Sequence, residues 1–102
     1  MKRLFLEAIQ EKRIVKITFN SKAKGIIIRK CIPFDFGPSR RSHDKSDKYH
    51  FYDLDSPDGN HNLSVAESQL MKIELTKDIF DPQEYITWEP NWFIKRDWGR
   101  YS

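Results

Sequence analysis

Residues 14–19 read Ile14-Val15-Lys16-Ile17-Thr18-Phe19, and the fold turns on their period. Val15, Ile17 and Phe19 alternate with Lys16 and Thr18, and β-branched side chains dominate. A period of two puts the apolar residues on one face of a strand and the polar pair on the other. Upstream, over residues 3–12, the rhythm is different. Leu4, Phe5, Ala8 and Ile9 share one face of a short helix, with Lys2, Arg3, Glu7, Glu11 and Lys12 on its other sides. A helix this short does not persist alone, so it is expected to lie on the sheet.

Downstream, Asn20 to Gly25 supplies a turn, and Ile26 to Ile32 reads as a second strand. Pro33 lacks a backbone donor and is expected to end its pairing. Residues 35–48 read as a loop, punctuated by Gly37 and Pro38 and wholly polar from Ser39 to Lys48. Tyr49 to Leu54 forms a third strand. Ser56-Pro57-Asp58-Gly59-Asn60 is a strong turn signal, and His61 to Val65 returns as a fourth strand. Ala66 to Gln69 fits a short helical turn. Met71, Ile73 and Leu75 alternate with Lys72, Glu74 and Thr76 in a fifth strand. Asp81-Pro82 is expected to open a helical turn. All three tryptophans lie in the last fifteen residues. The expected organisation is a helix-plus-sheet unit over residues 1–80 and an aromatic extension over 81–102, packed on the same domain.

With 102 residues, the chain is sized for one small core. One short helix and five short strands in hairpin succession predict a mainly β (α+β) fold. The expected form is a strongly bent, five-stranded antiparallel barrel of Sm-like or SH3-like type. An OB-fold usually carries a helix between its third and fourth strands, where this chain has only the Pro-Asp-Gly turn. Cys31 is the single cysteine, which excludes an internal disulfide and a multi-cysteine zinc site. His43, His50 and His61 have no metal-ligand spacing, so no metal and no cofactor are expected. No nucleophile elbow, P-loop or dinucleotide fingerprint occurs, and the chain is read as non-enzymatic. No apolar run approaches the ~18 residues that cross a bilayer, and no signal peptide opens the chain. A cytoplasmic protein without membrane contact is expected.

Charge is uneven beneath the net +3. Residues 1–30 hold nine lysines and arginines against two glutamates; residues 31–102 hold nine against thirteen acids. The basic third either attracts a polyanion or lies beside the acidic remainder and neutralises it. Arg40, Arg41, Lys45 and Lys48 on the polar loop, with Tyr49 at its foot as a stacking surface, are candidates for phosphate and base contacts. Asp44 and Asp47 interrupt those cations and favour a merely solvated loop. The tail interleaves Trp88, Trp92, Phe93 and Trp98 with Lys95, Arg96 and Arg100. That pattern fits a tail folded onto its own domain, a protein interface or self-association surface, or base stacking.

Phe5-Leu6-Glu7-Ala8-Ile9, followed by Ile14 to Phe19, resembles the opening of a WYL domain. Arg29-Lys30-Cys31-Ile32-Pro33 resembles that family's strand closing on proline. Tyr49-His50-Phe51 falls where its Trp-Tyr-Leu stretch stands, and the likeness covers roughly residues 5–82. It implies an Sm-like barrel that senses a nucleotide or a nucleic-acid end, as in prokaryotic transcription regulators. There the domain mostly follows a winged helix-turn-helix. No such element precedes residue 5, so DNA reading is expected to come from a partner. The family's hairpin arginines are replaced by Asn62, Ser64 and Gln69, and Arg29 is the one matching basic strand residue. The expected function is a nucleotide- or single-strand-binding module using Arg29, Arg40, Arg41, Lys45 and Tyr49. The alternative is a protein-interaction or oligomerisation module using Trp88, Trp92, Phe93, Arg96 and Trp98 together with open sheet edges.

Overall fold

A computed structural model describes residues 1–40 and 43–102. Helix α1 (Lys2–Glu11) leads into β1 (Arg13–Ser21), β2 (Gly25–Pro38), β3 (Asp47–Asp53), β4 (His61–Ala66) and β5 (Leu70–Ile79). The strands make one antiparallel sheet of order β4-β3-β2-β1-β5. Lys12 ends α1 in the left-handed conformation, at φ 55°, so β1 follows at once. The alternation in β1 is realised: Val15, Ile17 and Phe19 are buried and Lys16 is exposed. Phe5, Ala8 and Ile9 of α1 lie fully buried with them. The phenyl ring of Phe5 meets Tyr49 at 5.0 Å and Phe51 at 5.4 Å, both edge-on. The helix thus persists because it covers the concave side of the sheet.

Three expectations need correction. First, Pro33 does not end β2, which runs on to Pro38 and pairs with β3 down to Asp47. β1 pairs with β2 only as far as Cys31, so beyond that point one flank of β2 carries no ladder, and a residue without an N–H fits there. Much of the expected 35–48 loop is therefore strand. Second, Met71 is 55% exposed rather than buried. Thr18 faces Lys72 while Phe19 faces Leu70. Met71 is the extra residue of a bulge, and Leu70 takes the inward place. Third, residues 66–69 make a single turn, closed by Gln69 N–H to the Ala66 carbonyl at 2.9 Å, and not a piece of helix.

That turn links opposite edges of the sheet. Among the described residues β4 pairs only with β3 and β5 only with β1, yet three residues join them. The sheet must curl strongly for so short a link to reach. Gln69 stitches the turn to β1 through Asn20 N–H to its carbonyl (2.9 Å) and its own amide to the Asn20 carbonyl (3.3 Å). The sheet is not closed: no ladder joins β4 to β5 among the described residues. No helix is long and apolar enough to cross a membrane among the described residues.

Residues after β5 cross the outer side of β2 and β3. Asp81 caps the 3-10 turn Pro82–Glu84 by accepting from Gln83 N–H, as the Asp-Pro pair predicts. Ile86 and Trp98 are buried in the core cluster. Trp98 donates from Nε1 to the Ile9 carbonyl at 2.9 Å and packs edge-on against Phe80. The C-terminal segment therefore bridges the outer sheet face and the end of α1.

Candidate binding groove

A second bulge creates the docking place for that segment. Pro33 pairs with Phe51 and Asp35 pairs with His50, which leaves Phe34 as the extra residue. A bulge breaks strict alternation and re-aims side chains. Phe34 and Asp35 both meet the segment that covers this face. Phe34 lies against Tyr52 (5.9 Å), Trp88 (5.8 Å) and Trp92 (5.6 Å). Asp35 is 7% exposed, and its carboxylate accepts N–H bonds from Phe36, Phe93 and Ile94 at 2.9–3.0 Å.

Arg96 completes this clasp. Its side chain is wholly buried, with Nη2 3.4 Å from Asp35. Nη1 donates to the Phe34 carbonyl and Nε to the Ile94 carbonyl. The guanidinium lies 4.1 Å from the Trp92 ring and 4.4 Å from Trp98. Planar stacking and a fork of donors are what arginine offers over lysine. Burial pulls the Arg96 pKa down to about 10, against the opposing pull of Asp35.

Between β2, β3, β4 and this segment lies an open groove of about 450 Å³. Its apolar wall is Phe34, Trp88, Trp92 and Phe93, with Trp88 46% and Phe93 44% exposed. Arg40 stands at the rim. Its Nη2 donates to the Asn91 carbonyl (2.8 Å), and its guanidinium lies over the Phe93 ring at 4.1 Å. Phe93 in turn rests against Gly37, where an added Cβ would come within 2.5 Å of the ring. The polar side of the groove is His50, Asn62, Ser64 and the carboxylate of Glu89. His50 Nε2 donates to the Gly37 carbonyl at 2.9 Å, so in the neutral ring Nδ1 accepts from the Ser64 hydroxyl at 2.8 Å. The ring is thereby fixed in place.

The residues singled out in the sequence scatter. Arg40, Trp88, Trp92 and Phe93 come together at the groove. Arg96 and Trp98 stand behind it, buried and engaged within the chain. Tyr49 is 3% exposed among Phe5, Phe36 and Phe51, so it is a core residue and not a stacking surface. Burial raises its phenol pKa. Arg29 pairs with the buried Asp53 at 3.4 Å, away from the groove. Lys45 is exposed, Lys48 pairs with Asp44 at 3.3 Å, and Arg41 lies outside the described residues. Burial pushes the Cys31 thiol far up, as for an inert core residue. No cluster of metal-binding side chains occurs among the described residues.

Sequence reading missed Phe34, Asp35 and Glu89 as site residues. Asp35 carried a signal: a lone carboxylate in Ile32-Pro33-Phe34-Asp35-Phe36 needs a partner if that run is buried. Comparison with known proteins finds no matching family model, no matching curated protein and no matching solved structure.

Proposed function

We propose that this chain is a non-enzymatic binding module that takes a nucleotide, or one unit of a single-stranded nucleic acid, in the groove beside Arg40. The observation that carries the reading is the pairing of two half-exposed aromatic rings, Trp88 and Phe93, with a guanidinium on one wall of a ligand-sized pocket. The exposed Trp88 indole suits base stacking beside the Phe93 ring, which Arg40 already covers, and an arginine fork suits a phosphate. Asn62 and the hydroxyl oxygen of Ser64, which His50 holds in place, offer hydrogen bonds to a base edge or sugar. Glu89 repels phosphate and can accept from base amino groups, which favours the phosphate beside Arg40. The strand order, the strong curl and the short β4–β5 turn support a divergent Sm-like fold. A WYL-like regulatory role is part of the same proposal. Its ligand contacts would then come from Arg40 and the C-terminal aromatics rather than from Arg29 and Tyr49.

Tryptophan fluorescence during titration with mononucleotides and short oligonucleotides tests this. Quenching that saturates is expected, with affinity falling as salt rises. Trp88→Ala should weaken binding roughly tenfold or more, since stacking contributes about 1–3 kcal/mol per base. Absence of binding at low salt to every nucleotide and oligonucleotide rejects the reading.

A further inference from the structure

A second surface lies on the other half of β2. Over Gly25–Arg29 this strand pairs with β1 on one side. Its ladder with β3 starts only at Cys31. The other edge of Gly25–Arg29 therefore has no strand partner among the described residues. Lys30 turns its carbonyl to the β3 side and accepts Leu54 N–H at 3.0 Å. Backbone direction alternates along a strand, so the N–H and C=O groups of Ile26 and Ile28 face this open edge.

The side chains beside the edge are unusual for bare surface. Ile26 is 57% and Ile28 51% exposed, on the outer face. Across β1 from Ile28 stand Thr18 and then Lys72, with the half-exposed bulge residue Met71 next to it. Lys22, Lys24 and Lys30 flank the isoleucines along the chain, and Lys16 faces Lys30. Glu74 is the carboxylate in register with Lys16, and it is shared between Lys72 at 2.7 Å and Lys16 at 4.0 Å. Four of the nine cations among the first thirty residues, Lys16, Lys22, Lys24 and Lys30, thus stand around an apolar centre and an open strand edge.

We propose that this edge is a docking site for an extended, acidic segment of a partner protein, added to β2 as a further strand. Backbone hydrogen bonds supply the attachment, alternate apolar side chains cover Ile26 and Ile28, and carboxylates meet the lysines. Lysines alone are a common guard on open edges. They do not account for two isoleucines more than half exposed beside them. A second copy is disfavoured, because antiparallel pairing of two such edges sets lysines against lysines. Isoleucine and methionine lack the aromatic faces on which bases stack. A bilayer is disfavoured because the hairpin tip carries Lys22 and Lys24 while the apolar pair sits back on the face.

The probe is an acetylated seven-residue peptide alternating Val and Glu, titrated into the isotopically labelled full chain and followed by amide NMR. Shift changes and slowed hydrogen exchange at Ile26 and Ile28 are expected. Replacing Glu by Lys in the peptide, or placing a central Pro in it, should weaken binding tenfold or more. Ile28→Asp should do the same while the melting temperature stays near wild type. Lys30→Glu, at an exposed side chain, provides a second variant with the same expected loss. No shift at millimolar peptide, equal binding of the Lys peptide, or changes confined elsewhere would overturn the proposal. So would co-flotation with phosphatidylserine vesicles or concentration-dependent dimerisation, each abolished by Ile28→Asp.

Discussion

The two halves of β2 belong to one strand and have opposite surroundings. From Cys31 to Phe36 every residue is buried; of Gly25 to Lys30 only Ile27 and Arg29 are even partly so. Hydrophobicity does not separate them, since Ile26-Ile27-Ile28 is as apolar as any stretch in the chain. Neighbours do. The second half has β3 on its edge and residues 85–98 on its outer face, and the first half has neither. The Phe34 bulge makes the difference possible, because it supplies a ring and a carboxylate to the segment that covers it. A buried ion pair is thus used to pin a chain terminus to a sheet. That is specificity rather than bulk stabilisation.

Removing the pin should have the largest effect. Asp35→Ala strands the buried Arg96 guanidinium and the three N–H donors of Phe36, Phe93 and Ile94. A loss of about 3–5 kcal/mol is expected in urea unfolding. A variant as stable as wild type would mean the two halves of β2 do not differ for the reason given. Gly37→Ala comes next. The added Cβ collides with the Phe93 ring, so a loss of about 1–3 kcal/mol and an altered groove wall are expected. Unchanged stability together with unchanged nucleotide affinity would contradict that packing.

The concave side sharpens the contrast without a mutation. Cys31 is fully buried with a raised pKa, so iodoacetamide at pH 8 should label it only on unfolding. Tyr49 likewise titrates late. Its folded pKa is raised by burial, so its contribution to stability is complete below the unfolded value near 10 and is lost as pH climbs through the folded one. Alkaline titration at 295 nm should show a late phenol ionisation, and Tyr49→Phe should remove that step. The smallest effect belongs to the bare half: Ile28→Thr should change stability by less than about 0.5 kcal/mol. A larger loss would show that this face is covered after all.

The strands were legible wherever burial is one-sided. Val15, Ile17 and Phe19 alternate because only one of their faces meets α1, and Phe51 between His50 and Tyr52 reads the same way. Alternation failed at Met71, the extra residue of a bulge, although Ile73 kept its inward place, and Phe34, the extra residue of the other bulge, lay beyond the expected end of its strand. Pro33 misled for a related reason. Its penalty depends on a ladder that β1 has already left. The groove was half legible. Arg40 and the tail aromatics stand out as types, but nothing local shows that Arg96 and Trp98 turn inward while Trp88 and Phe93 stay in solvent. Which way each turns depends on Asp35, some sixty residues earlier.

Amide hydrogen exchange at Phe93 and Ile94 tests the central claim most directly. Both N–H groups are held by the Asp35 carboxylate. They should exchange only with global unfolding in the wild type, and at least a hundredfold faster in Asp35→Ala relative to core amides such as Ile17. Exchange at the unprotected rate in the wild type would mean that the C-terminal segment is not clasped, and that the groove it walls does not exist in solution.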